Sequence, residues 1–239
     1  MIDIQFTFII SQPRSGSTML QRMLHQHSKI TTVGEPWFLL PALENDFDLK
    51  INKRTKYNER FANEAIKEFK KNISTFEKQK TLCFVEFYKL ICQNIVLQEG
   101  KSIFLDKTPR YYYIIDQIME YFPNSKIIVL TRNPIDVLNS ILNTWIGGRV
   151  SFLKKFQEDL FVAPKILAKA IKNPRVHHIM YEKLTSESNK ELEKLCNYLE
   201  IESESEMLDI SDSKKWKFGD PKMNIKKKIQ LSSNKNWEQ

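Results

Sequence analysis

Short apolar runs alternate along this chain with longer amphipathic stretches. Phe6 to Ile10 (FTFII) and Lys126 to Thr131 (KIIVLT) are almost continuously apolar and rich in β-formers, the pattern of strands buried on both faces of a parallel sheet. Ile30 to Val33, Ser102 to Leu105 and Val176 to Met180 read as shorter strands. After the first run the period changes. Met19, Leu20, Met23 and Leu24 share one face of a helix predicted over Ser17 to His27. Further helices are predicted over Tyr111–Phe122, from Pro134 to about Trp145, over residues 151–172 and over Lys190–Leu199, with Pro134 suited to a first helical turn. Residues 37–100 read as helical with a charged centre, KEFKKNISTFEKQK, and residues 211–239 hold few apolar positions. Strands alternating with helices predict an α/β fold. We expect three layers, with helices on both faces of a mostly parallel central sheet.

Composition narrows this picture only slightly. A chain of 239 residues that is 41% hydrophobic can fill one sizeable core, so a single domain over 1–239 is expected. Lys plus Arg is 37 against 29 Asp plus Glu, a net +8. That excess favours an anionic partner (nucleotide, acidic or sulfated glycan, nucleic acid or membrane surface) without choosing among them. Cys83, Cys92 and Cys196 have no metal-ligand spacing and suggest buried thiols in a reducing compartment. The N-terminal apolar stretch is short, carries Asp3 and lacks a leading Lys or Arg, which makes a poor signal peptide. No run approaches the ~18 apolar residues of a membrane span, and a cytoplasmic location is expected.

The chemistry concentrates between the first strand and the first helix, at Ser11-Gln-Pro-Arg-Ser-Gly-Ser-Thr18. Backbone N–H groups of a tight loop opening a helix, together with the helix dipole, attract an anion. Gly16 permits close backbone approach. Ser15, Ser17 and Thr18 bring hydroxyl donors, and Arg14 a charged planar fork. These suit a diphosphate-like group. The loop is not a Walker A sequence, because Ser17 stands where that motif needs lysine. A second constellation follows the KIIVLT strand, where Arg132 ends the strand and Ser140 lies eight residues on, in the next helix. Arg and Ser so spaced can hold one phosphate.

PRSGSTML resembles the 5′-phosphosulfate loop of the sulfotransferases that use 3′-phosphoadenosine 5′-phosphosulfate (PAPS), a family with a P-loop NTPase-like fold. The nearest branch holds bacterial and tyrosylprotein sulfotransferases. Glu35, in HQHSKITTVGEPW, falls at the place of that family's acidic residue. Arg132 and Ser140 resemble its R-x₇-S motif for the 3′-phosphate. Leu105-Asp-Lys-Thr-Pro109 resembles its lysine segment, Met180-Tyr-Glu-Lys-Leu184 the segment whose tyrosine contacts nucleotide, and Gly219-Asp-Pro-Lys222 its C-terminal covering loop. The resemblance implies PAPS as co-substrate, 3′,5′-adenosine diphosphate as product, and no metal. It implies Arg14, Ser15, Gly16, Ser17, Thr18, Arg132, Ser140, Tyr181 and Lys222 as nucleotide contacts, with residues 211–239 closing over the nucleotide and 37–100 forming an acceptor-side lid. Glu35 would be the general base, and Lys107 and Arg14 would stabilise charge on the transferring group. The acceptor implied is a hydroxyl on a carbohydrate, lipid, peptide or small metabolite, with no nucleic acid and no membrane span involved.

Two features depart from that pattern. Thr144 stands where relatives often carry an arginine, which leaves open whether Arg149 substitutes, and the chain stops soon after SSNKNW at 232–237. Trp37, Phe38 and Tyr111 to Tyr113 could line an acceptor pocket or simply fill the core. His25 and His27 at the first helix end and His177 and His178 in a strand read as structural. Three alternatives remain. A degenerate domain would bind PAPS without turnover, and a P-loop nucleotide kinase would need Mg²⁺ and bind ATP comparably. A basic nucleic-acid module would show salt-sensitive binding.

Overall fold

The computed structural model describes residues 4–44, 64, 67–68 and 84–210. Five strands form one sheet: β1 (Gln5–Ser11), β2 (Ile30–Thr32), β3 (Ile103–Lys107), β4 (Lys126–Thr131) and β5 (Val176–Met180). The order is β2-β3-β1-β4-β5 and every pairing is parallel. The sheet is therefore wholly parallel where the sequence suggested mostly so.

The apolar runs of β1, β3 and β4 are continuous because each of these strands is covered twice. Phe8 and Ile10 of β1, Phe104 of β3, and Ile127 and Val129 of β4 enter one core. Their alternate neighbours Ile9, Ile103, Leu105, Ile128 and Leu130 enter the other, as the two-residue period of a strand requires. The first core is closed by α2 (Leu39–Glu44), α3 (Phe84–Gln98), α4 (Ile115–Tyr121) and α6 (Ala163–Ala170). The second is closed by α1 (Ser17–His25), α7 (Tyr181–Ser186) and α8 (Ser188–Leu199). Helix α5 (Pro134–Trp145) contributes Val137 and Ile141 to a smaller cluster with Ile146 and Phe156.

Several expected elements differ. β3 runs on through Asp106 and Lys107, so the lysine is held by a strand rather than the loop after it. The helix expected from Tyr111 begins as a 3₁₀ segment, Pro109–Ile114. Residues 151–172 are not one helix: a 3₁₀ segment, Val150–Phe156, leads into a π turn, Glu158–Val162, and only then α6. Of the 37–100 stretch, the described parts are helical at α2 and α3, and its charged centre lies largely outside the described residues. Residues 211–239, with Lys222 and the SSNKNW segment, also lie outside them. Cys92 and Cys196 are buried free thiols, while Cys83 is outside the described residues. No helix among the described residues is long and apolar enough to cross a membrane.

Candidate active site

β1 is the central strand, flanked by β3 and β4, and chemistry in open α/β sheets gathers beyond such carboxyl ends. The register sets Ile9 of β1 beside Lys107 and Ser11 beside Leu130, one residue before Thr131. The loop after β1, Lys107 at the end of β3, Arg132 just past β4 and Tyr181 just past β5 consequently share one edge.

The loop needs unusual backbone. Arg14 has φ 73 and Gly16 φ 92, both left-handed. Gly16 caps α1 without a side chain, and a Cβ there would lie 2.3 Å from Cδ2 of Tyr181. Glycine is thus required twice at this position, by its φ and by the aromatic ring resting on it. The Tyr181 ring is stacked in turn by the Arg132 guanidinium, 4.3 Å from its centroid. Arg132 also donates from Nη1 to the Arg14 carbonyl at 3.2 Å. Glu182, adjacent to Tyr181, accepts from Asn133 N at 2.7 Å. The Asn133 side chain caps α5 by accepting from Ile135 N. Loop, strand end and two helix starts are locked together.

Arg14, Arg132 and Ser140 come together, but not in the expected pairing. Arg14 Nε donates to Ser140 Oγ at 3.0 Å, while Arg132 holds the loop backbone and the Tyr181 ring. The Arg14 guanidinium also lies 5.7 Å from the ring of Trp145. Arg149 donates to Ile146 O and stacks on Phe152, so it serves its own turn.

On the other side of the loop, Lys107 is fully buried, and its Nζ lies 2.5 Å from Glu35 Oε1 and 3.3 Å from Thr18 Oγ1. Glu35 Oε2 accepts from Trp37 Nε1 at 3.1 Å. Buried charge is tolerated because it is paired and hydrogen-bonded. Beneath it Asp106 accepts from Tyr88 and Thr108, and burial pushes its carboxyl up to about 6.

This edge also carries buried donors that find no hydrogen-bond partner among the described residues. Ser11 Oγ, Gln12 Nε2, Ser15 Oγ and Arg132 Nε are of this kind, and buried polar groups are normally satisfied. With the exposed N-terminal amides of α1 they make a donor-rich cradle fit for phosphate or sulfate oxygens. Among the described residues, no group of His, Cys, Asp and Glu could hold a metal ion.

The aromatic candidates divide. Phe38, Tyr111 and Tyr112 are buried in the first core, and the Tyr111 hydroxyl accepts from Leu39 N. Trp37 is buried there too, Tyr113 packs partly buried against that core, and nearby Phe84 and Trp145 are exposed. His27 is buried against the Glu202 carbonyl, and His177 stacks on Tyr198, burial lowering its pKa. His178 pairs with Thr131. Gln12, Arg110, Asp159 and Glu182 were not singled out from sequence. Gln12 and Glu182 sit inside quoted motifs and could have been. Asp159 lies in an irregular segment with no readable pattern.

Residues 7–205 match the model of the sulfotransferase family. Over 138 residues, 58% of this chain, it is 31% identical to the nodulation protein NoeE of Sinorhizobium fredii (strain NBRC 101917 / NGR234). A protein of Aquifex aeolicus (strain VF5) is 23% identical over 249 residues, 96% of this chain. The chain spans under a third of the length of both, 31% and 30%. Among solved structures, the sulfotransferase domain of the Synechococcus PCC 7002 olefin synthase superposes with TM-score 0.71 at 20% identity, over 97% of this chain and 86% of that one. That of the curacin biosynthetic pathway gives 0.62 at 24%, over 92% and 81%. Mouse SULT7A1 complexed with PAP gives 0.50 at 17%, over 88% and 63%. With a family model covering the sheet, the loop and both arginine-bearing strand ends, this chain belongs to the sulfotransferase family.

Proposed function

We propose that the chain transfers a sulfuryl group from PAPS to an acceptor hydroxyl, with Glu35 as general base. The observation that carries this reading is the cluster of buried donor atoms at one sheet edge (Ser11 Oγ, Gln12 Nε2, Ser15 Oγ and Arg132 Nε) with no hydrogen-bond partner among the described residues, beside a buried Lys107–Glu35 pair. PAPS supplies an activated sulfuryl group on a phosphate leaving group. Ser15, Ser17, Thr18 and the α1 amides bind the 5′ end, and Gly16 allows that approach. Arg132 and Ser140 take the 3′-phosphate, which requires Ser140 to exchange its bond from Arg14. Tyr181, already seated between Gly16 and Arg132, supports the nucleotide, and Lys222 belongs to the segment that would cover it.

Transfer follows an in-line path through a loose transition state with charge on the equatorial oxygens. Glu35 takes the acceptor's proton. Lys107 and Arg14 are the cations that offset the developing negative charge. No step assigned to these residues calls on a metal. Carbohydrate, lipid, peptide and small-metabolite hydroxyls all suit a carboxylate base, and a cytoplasmic setting suits the free thiols.

Calorimetric titration of 3′,5′-adenosine diphosphate without metal, against 5′-AMP, tests the donor. Binding that needs the 3′-phosphate and drops at least ~10-fold in Arg132→Ala is expected, since each charge-assisted contact is worth about 1.5–3 kcal/mol. Equal affinity for both nucleotides in folded protein would return the chain to a generic phosphate binder. Glu35→Gln should keep nucleotide binding and lose turnover by ~100-fold or more.

A further inference from the structure

We infer that Trp37 is a positioning residue for Glu35, held in place by an Arg110–Asp159 clamp; this rests on the reading of Glu35 as the base. Glu35 lies in the loop between β2 and α2, outside any regular backbone ladder, so its carboxylate must be aimed by side chains. Lys107 fixes one oxygen and the Trp37 indole N–H fixes the other. Two donors on separate oxygens define the plane of the carboxylate. They leave a second lone pair on each oxygen for the acceptor proton.

Trp37 is an unlikely residue for its own backbone. Its φ is 57, in the left-handed region that a bulky side chain occupies only under strain and that tends to mark functional sites. What holds it is packing and charge. The side chain is 3% exposed, and the Arg110 guanidinium lies 5.7 Å from the ring centroid. Arg110 is itself fixed by a two-point pair with Asp159, Nε–Oδ1 at 3.0 Å and Nη2–Oδ2 at 2.6 Å. The Tyr112 hydroxyl donates to the same carboxylate at 2.8 Å. A planar fork gripped at both ends is rigid, so the indole rests on a fixed surface.

The line Asp159–Arg110–Trp37–Glu35 therefore connects the π turn at 158–162 to the base. It also passes Trp145, whose ring lies 5.9 Å from the same guanidinium. Trp37 thus orients Glu35 through its indole N–H, an effect that a residue serving only to fill space would lack.

The test uses the whole chain and needs no identified acceptor. The indole N–H resonance of Trp37 reports its hydrogen bond to Glu35 in ¹H–¹⁵N spectra, and Glu35→Gln should shift it. Turnover is followed as transfer to water. The sulfur–oxygen bond to the PAPS phosphate breaks, one to water forms, and the water proton passes to Glu35. Trp37→Phe should lower kcat about tenfold, and at most the ~100-fold expected of a 1 Å misplacement. KM for PAPS should stay within about twofold, because the indole N–H donates to the base. The thia-isostere of tryptophan at position 37 keeps the ring and loses only the N–H, and it should behave as Trp37→Phe does. In a Glu35→Gln background, Trp37→Phe should have no further effect. An indole resonance indifferent to Glu35→Gln overturns the inference. So does an equal loss of kcat in both backgrounds. Full turnover in Glu35→Gln with the indole still responsive sinks the base reading instead, leaving the hydrogen bond intact.

Discussion

Gly16 shows how much one position can be asked to do. Its φ of 92 would strain any side chain, and the Tyr181 ring occupies the space a Cβ would need. Gly16→Ala should therefore lose thermal stability by about 1–2 kcal/mol from the backbone alone and weaken 3′,5′-adenosine diphosphate binding at least ~10-fold. Tyr181→Ala in the same chain should recover part of the melting temperature, because it relieves the ring but not φ. The glycine and its anion-binding loop were legible in sequence, since a strand, a short polar turn and an amphipathic helix stand in a row. The ring resting on it was not: Tyr181 is 165 positions further on, and only the β5 register brings it back. Arg14 illustrates the same limit. Its place in the loop was readable, whereas its bond to Ser140 depends on a side-chain direction that no spacing specifies.

At the scale of elements, β3 repays attention because it carries a carboxylate and an ammonium in consecutive buried positions. Asp106 holds its proton to about 6 against an ordinary 3.8, burial outweighing the hydroxyls of Tyr88 and Thr108. A native-state value above the unfolded one means that the stability it contributes is fully present below about pH 4. That contribution is lost as pH rises through about 6, amounting to ~3 kcal/mol for a shift of about two units. Urea unfolding between pH 4 and 7 should show this decline in the wild-type chain, and Asp106→Asn should flatten it; an unchanged slope would place the titration elsewhere. Sequence pattern located the five described strands, most plainly β1, β3 and β4, whose apolar runs are covered on both sides. Of the helix expected over 151–172, Ala163–Ala170 forms, but the pattern misjudged the first part, where apolar Phe152, Phe156 and Leu160 pack under α5. The helical period survives there, while the backbone passes through 3₁₀ and π turns.

For the molecule as a whole, a sheet with β1 at its centre gathers residues from four strand ends at one edge. The fold class could be read from alternating periods, but strand order could not, because every apolar run looks alike to its neighbours. What fixes the order is which helices find room on each face. The Glu35–Lys107 pair joins two of those strand ends across 72 positions of sequence. Removing one member of a buried pair typically costs about 3–5 kcal/mol, whereas replacing both by apolar groups can be nearly neutral. Glu35→Gln and Lys107→Met should each lower the melting temperature, and the double variant should melt above either, measurable as a double-mutant cycle. In terms of descent, neither residue can drift alone. A lineage that abandons the carboxylate must relinquish its lysine almost at once, and one that keeps the lysine is held to the carboxylate by folding alone.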